Sequence, residues 1–159
     1  MTGNAPLVGI VYGSPTDKEL ADEAAGVLER FGVPFEAVQL SAHRNADETA
    51  SYADEAHTRG LKVLLAIAGM AAHLAGALAA RTTLPVIGVP AQGSAFGGLD
   101  ALLSTVQMPA GVPVATVAVG SAGARNAALL AVQILALSAP DLSKKLGEFK
   151  TEQAKKKVI

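Results

Sequence analysis

The sequence predicts an α/β domain with a parallel sheet covered by helices on both faces. Short apolar runs rich in valine, isoleucine and leucine alternate with segments of helical spacing, and such alternation implies right-handed crossovers between parallel strands. The chain has 159 residues, no internal repeat and no linker-like stretch, so residues 1–159 are expected to form one domain.

The first strand is expected over Leu7–Tyr12, a β-branched run stopped by Gly13. Ser14-Pro15-Thr16-Asp17 has the form of a helix start, with Ser14 as N-cap, Pro15 in the first turn and an acid three residues after the cap. Leu20, Ala24, Val27, Leu28 and Phe31 continue at helical spacing to Gly32 and Pro34. A second strand spans about Phe35–Leu40. A second helix follows, marked by Ala46, Ala50, Ala53 and Ala56 and closed by Gly60. Leu61–Ile67 reads as the third strand, and Gly69-Met70-Ala71-Ala72-His73 as the opening of a helix reaching about Ala80. Pro85–Pro90 brackets a fourth strand, and the small-residue stretch Ala91–Gly98 leads into a helix over about Leu99–Val106. Val114–Val119 is expected as the fifth strand. Asn126–Leu137 is apolar almost all round, as a helix buried on several sides would be. After Pro140, Leu142, Leu146 and Phe149 give one apolar face to a lysine-rich helix at about 140–157.

Composition narrows the function classes. Half the residues are apolar and 17% are charged, yet no apolar run reaches the roughly eighteen residues of a membrane span. The apolar excess suggests that subunit contacts cover part of the surface, and the helices around Ala77, Leu129 and Leu135 are expected to supply it. Net charge is −1 with no basic face evident, which argues against nucleic acid as a partner. There is no cysteine, hence no disulfide, thiol nucleophile or thiolate metal site. Met1–Pro6 lacks the form of a signal peptide, so a cytoplasmic location is expected.

The chemistry-bearing residues fall where the first three strands end, and parallel sheets bind ligands outside those ends. Ser41-Ala42-His43-Arg44 puts a histidine, the residue type suited to giving and taking a proton, beside a fixed cation suited to phosphate or carboxylate. Ser14–Asp17 offers a helix N-terminus to an anion, though a simple capping box accounts for it equally well. His73 taken alone reads as helix packing, and His57 as surface. Neither G-x-G-x-x-G nor G-x-x-x-x-G-K-[ST] occurs, so a mononucleotide or sugar phosphate fits better than a dinucleotide or a Walker-type triphosphate.

Five stretches, taken together and in order, resemble the 5-(carboxyamino)imidazole ribonucleotide mutases of purine biosynthesis, class I. They are Gly13–Asp17, Ser41–Arg44, Ala68–Leu74, Gln107–Pro113 and Asn126–Ala131, and the match runs from about Val8 to Leu137. The resemblance implies a flavodoxin-like three-layer fold with a five-stranded parallel sheet, a homo-octamer whose C-terminal helix packs on a neighbouring subunit, and no metal, biotin or other cofactor. It also implies an upstream ATP-dependent synthase that makes the carbamate substrate. Carried over by position, His43 becomes the proton carrier, His73 a second histidine of the site, Ser14 and Arg44 the phosphate contacts, and Asp17 the ribose contact. Thr16, Ser41, Ala42, Gly69, Met70 and Leu74 complete the substrate-binding set.

The chain departs from the family pattern at Thr16, Asn45-Ala46, Met70 and Ala75, where serine, Thr-Pro, glycine and proline are usual. A related branch carboxylates aminoimidazole ribonucleotide directly; it carries arginine and then Ser-Asn after the third-strand glycine, and lysine in place of Arg44, so both positions here resemble the mutase. As another class altogether, a flavodoxin-like mononucleotide-binding module without catalysis would leave His43 unexplained.

Overall fold

The computed structural model describes residues 5–155. Met1–Asn4, which carry most of the signal-peptide argument, and residues 156–157 of the last expected helix lie outside the described residues. Five parallel strands run in the order β2-β1-β3-β4-β5, with β1 at Val8–Tyr12, β2 at Phe35–Gln39, β3 at Val63–Ala68, β4 at Val86–Pro90 and β5 at Ala115–Thr116. This is the flavodoxin-like order, in which the winding direction reverses between β1 and β3. Tyr12 pairs with Gln39 on one side and Ile67 on the other, so the ends of β1, β2 and β3 lie level.

The helices are α1 (Lys18–Phe31), α2 (Ala46–Ala56), α3 (Leu74–Ala79), α4 (Leu99–Val106), α5 (Ser121–Ala136) and α6 (Pro140–Lys155). Side chains alternate across β3: Val63, Leu65 and Ile67 join Leu28 of α1 and Val132 of α5, whereas Leu64 and Ala66 join Tyr52 of α2 and Leu78 of α3. Each face of the sheet thus has its own core, and the central strands are buried on both sides, as doubly covered parallel strands must be.

Several expected boundaries shift. The fifth strand holds two residues, Ala115–Thr116, rather than Val114–Val119, and pairs only with β4. α5 begins five residues earlier than expected, at Ser121, since Gly120 lets the chain turn at φ 74°. α2 buries Thr49, Tyr52, Ala53 and Ala56, whereas Ala46 is exposed and Ala50 only half-buried. Gly69–His73 is loop, not helix, and α3 starts at Leu74.

The expected location of surplus apolar surface also changes. Leu135 is buried in its own chain, and Ala77 and Leu129 are half-buried. The exposed large apolar side chains are instead Phe96, Leu99, Leu103 and Val106 on and before α4, with Leu137 after α5 and Met70 at the end of β3. α6 lays Leu142, Leu146 and Phe149 against the α1–α5 core; the Phe149 ring meets Phe31 edge-on at 5.6 Å.

Two glycines in helices give opposite expectations. A Cβ on Gly123 would sit 1.7 Å from the Ala118 carbonyl oxygen, so Gly123→Ala forces the backbone apart and is expected to lower stability by about 1–3 kcal/mol. Gly26 in α1 has no neighbour within 4 Å of such a Cβ, so Gly26→Ala is expected to raise stability by about 0.5–1 kcal/mol. Urea unfolding measures both; equal midpoints for the two variants would contradict this packing.

Candidate active site

The β1–β3 reversal opens a cavity of about 700 Å³ at the carboxyl ends of the strands. Its lining includes Ser14, Thr16 and Asp17 after β1, Ser41, Ala42, His43 and Arg44 after β2, and Gly69, Met70, His73 and Leu74 after β3. Every site residue expected from the sequence therefore faces one space. His57 lies outside it, exposed at the end of α2.

His43 and His73, separated by 30 positions in the chain, meet at 2.7 Å between Nε2 and Nδ1. Their rings stand edge to face with centroids 4.7 Å apart. One of the two nitrogens must donate and the other accept, so the rings share one proton between them. His73 is exposed and sits at the N-cap of α3, which sets aside the reading of a packed helix histidine. The His43 loop is braced from below: the Asn45 side-chain carbonyl accepts from the Ser41 amide at 2.7 Å, and the Asn45 amide donates to the Ser41 carbonyl at 3.0 Å. Asparagine here supplies a turn by side-chain bonding.

The β1 loop differs from a simple capped helix. A 3-10 turn, Pro15–Asp17, precedes α1, and the Ser14 hydroxyl caps no backbone amide. It donates instead to Asp17 Oδ2 at 2.7 Å and lies 2.6 Å from the Thr16 hydroxyl. Arg44 reaches across to the same loop, donating to the Gly13 carbonyl at 2.8 Å, which sets a cation beside Ser14. Asp17 is buried to 6% exposure. Burial raises its pKa above the usual carboxylate value, although hydrogen bonds from Ser14 and the charge of Arg44 pull the other way.

The β3 loop carries Met70 at φ 55°, the one non-glycine residue with positive φ among the described residues. That conformation costs an ordinary residue about 1–2 kcal/mol. Gln92 and Gly93, after β4, also line the cavity and were not assigned from the sequence. The available signal was their place after a fourth strand end next to β3. Gly120 opposite is the position where any Cβ would press on the Gln92 amide at about 3.1 Å.

Fold and cavity define a class: a flavodoxin-like α/β protein with a hydrogen-bonded histidine pair and a cation-bearing loop at its switch point. Comparison with known proteins narrows it. The family model described as AIR carboxylase matches residues 7–156, and the chain belongs to that family. It is 53% identical over 154 residues to the N5-carboxyaminoimidazole ribonucleotide mutase of Bacillus subtilis, covering 97% of this chain and 94% of the relative. It is also 53% identical over 150 residues to the bifunctional purine synthesis protein purC/E of Dictyostelium discoideum, covering 94% of this chain and 15% of that one. The crystal structure of Treponema denticola PurE superposes with a TM-score of 0.85 at 29% identity, covering 95% and 93% of the two chains.

Asp17 yields a pH expectation. A carboxyl with a raised folded pKa holds its proton more tightly folded than unfolded, so its buried charge lowers stability as pH climbs above the ordinary carboxylate value of about 3.9. Asp17→Asn keeps an acceptor for Ser14 and removes that charge. It is expected to melt higher than the parent at pH 7, with the gain vanishing toward pH 3; a lower melting temperature at pH 7 would contradict the burial argument.

Proposed function

We propose that this chain is an isomerase of purine synthesis, converting N5-carboxyaminoimidazole ribonucleotide into the isomer carboxylated on the adjacent ring carbon. The observation that carries the reading is the His43–His73 pair at 2.7 Å, inside the cavity that also holds Ser14, Asp17 and Arg44, in a chain about half identical to named mutases.

The reaction follows from proton bookkeeping. The N–C bond of the carbamate breaks, carbon dioxide departs, and the electron pair left on the ring amine takes a proton from His43. The electron-rich ring carbon then attacks carbon dioxide, a C–C bond forms, and the proton displaced from that carbon returns to His43. One histidine serves as acid and then as base and ends as it began. His73 shares a hydrogen bond with His43 Nε2, so the tautomer of one ring sets that of the other. Arg44 and Ser14 hold the phosphate and Asp17 the ribose, while Thr16, Ser41, Ala42, Gly69, Met70 and Leu74 shape the rest. The protein's remaining contribution is orientation and exclusion of water.

A second reading, direct carboxylation of aminoimidazole ribonucleotide, is favoured by the family's own description. Against it stand Arg44 and Met70-Ala71-Ala72-His73. A mutase recaptures its own carbon dioxide, so substrate labelled at the carbamate carbon is expected to give labelled product in unlabelled bicarbonate. In the same assay His43→Asn is expected to bind ribonucleotide and lose turnover by about a hundredfold or more, and Arg44→Ala to weaken the nucleotide far more than its dephosphorylated nucleoside. Loss of label at each turnover, or near-normal rates for His43→Asn, would overturn the reading.

The whole chain, residues 1–159, acts as one catalytic domain and assembles as a homo-octamer, with the free face of α6 meeting a neighbour. The support for assembly is the apolar stripe Leu99, Leu103 and Val106 on α4, each about half exposed or more; the α6 contact rests on the family resemblance alone. Sedimentation is expected to give an octamer, and Leu103→Glu to dissociate it; an active monomer at micromolar concentration would refute the assembly. Upstream, an ATP-dependent synthase supplies the carbamate. The proposed location is the cytoplasm; among the described residues no helix is long and apolar enough to cross a membrane.

A further inference from the structure

Gln92 is the polar side chain of the cavity that the acid-base chemistry leaves unused. The other lining side chains with oxygen or nitrogen are already engaged: Ser14, Thr16 and Asp17 with one another, His43 with His73, Ser41 with the Arg44 amide and Arg44 with the Gly13 carbonyl. The Gln92 carboxamide has no hydrogen-bond partner among the described residues, and the residue is exposed. Its backbone, by contrast, is fixed. The Ala91 amide donates to the Ala68 carbonyl at 2.8 Å, and the Gly120 amide to the Pro90 carbonyl at 2.8 Å, so the chain leaves β4 tied on both sides. A Cβ at Gly69 would lie 3.5 Å from Ala91 Cβ and 4.0 Å from the Gln92 carbonyl oxygen, which sets the loops after β3 and β4 against each other. A Cβ at Gly120 would lie 3.1 Å from Gln92 Cδ and 3.2 Å from Oε1; glycine there leaves the carboxamide its place.

Strand order indicates which part of a ligand reaches it. Ser14 and Arg44 hold the phosphate after β1 and β2, and β4 is two strands from β1, about 10 Å along the rim at the usual strand spacing. The base and its carboxyl group therefore lie toward β3 and β4. Among the described residues lining the cavity Arg44 is the one fixed cation, and the phosphate occupies it, so the carboxyl group needs neutral donors. In the carbamate an N–H adjoins the carboxylate; in the product an amine stands beside the carboxylate of the next ring carbon. A carboxamide presents an N–H donor and a carbonyl acceptor side by side, which suits both. A contact made equally with substrate and product is uniform binding and shows in KM rather than in kcat.

We propose that Gln92 is a substrate-binding and specificity residue: its carboxamide donates to the carboxylate and accepts from the neighbouring N–H, so that the site selects carboxylated aminoimidazole ribonucleotides over the uncarboxylated one. The proposal rests on the isomerase reading. A site built to hydrogen-bond a group on its ligand rejects the analogue that lacks it.

The test compares the full-length parent with Gln92→Met and Gln92→Glu. Dissociation constants are measured for the ring-carboxylated ribonucleotide and for aminoimidazole ribonucleotide, with carbamate isomerisation and melting temperature recorded alongside. Gln92→Met keeps the length and removes donor and acceptor; Gln92→Glu keeps the shape and sets a like charge against the carboxylate. Both are expected to melt with the parent, as replacements of an exposed side chain do. Gln92→Met is expected to bind the carboxylated ribonucleotide about tenfold more weakly, the scale of a hydrogen bond to a charged group, and Gln92→Glu more weakly still, with the loss in KM rather than in kcat. Aminoimidazole ribonucleotide is expected to lose less in Gln92→Met and nothing in Gln92→Glu, whose carboxylate still accepts from the amine. Equal weakening of both ribonucleotides in Gln92→Glu, or no weakening of the carboxylated one, would overturn the proposal. So would a loss confined to kcat, or a drop of several degrees in both variants, which would mark the side chain as structural. Failure of the parent itself to isomerise the carbamate would sink the isomerase reading, and this proposal with it; a competent parent whose Gln92 variants do not discriminate sinks the proposal alone.

Discussion

The reversal of winding between β1 and β3 is the constraint on which the rest of this molecule depends. Right-handed crossovers place α1 on one face of the sheet as the chain moves from β1 out to β2. The chain must then pass back over β1 to reach β3, which puts α2 on the other face. The loops leaving β1 and β3 consequently part in opposite directions, and the gap between them becomes a crevice with backbone on three sides. His43 hangs over it from β2 and His73 from β3, and the level ends of the three strands bring the two rings together.

That crevice concentrates the local costs of the fold. Asp17 is buried where its charge loses hydration, and Met70 is in a backbone region that favours glycine. Elsewhere the pattern is locally consistent: β-branched strands buried on both faces, a glycine in the left-handed conformation ending α1, and alanine-rich helices that pack closely. Both costs lie at the cavity, on a scaffold that is otherwise locally consistent.

The apolar excess divides in the same manner. Much of it is absorbed within the chain, because α5 has α1 on one side and α6 on another, so Leu135 and its neighbours need no second subunit. What remains outside lies on and just before α4, at Met70 and at Leu137. Composition could report the amount of apolar surface but not its address, since the address depends on which helix receives a partner from its own chain.

The sequence by itself determined the class of fold, the order of elements and the loops that carry chemistry. Period and punctuation are local properties: Gly32 ends its helix through its own backbone freedom, and the Ser41–Arg44 residue types suit proton transfer and anion binding once they are placed in a strand-end loop. It also located every expected site residue on one sheet edge, because a parallel sheet puts all its carboxyl ends together. The tertiary structure decided the rest. Only strand order could place His43 within hydrogen-bonding distance of His73, bring the β4 loop with Gln92 into the cavity, and leave β5 two residues long at an edge. Helix limits at Leu74 and Ser121 likewise followed from how the chain leaves β3 and β5. The positive φ of Met70 was equally illegible, since nothing in a methionine asks for it; hydrogen bonds from β4 and within the loop impose it. Distances between residues far apart in sequence are set by the packing of the whole, and no local pattern encodes them.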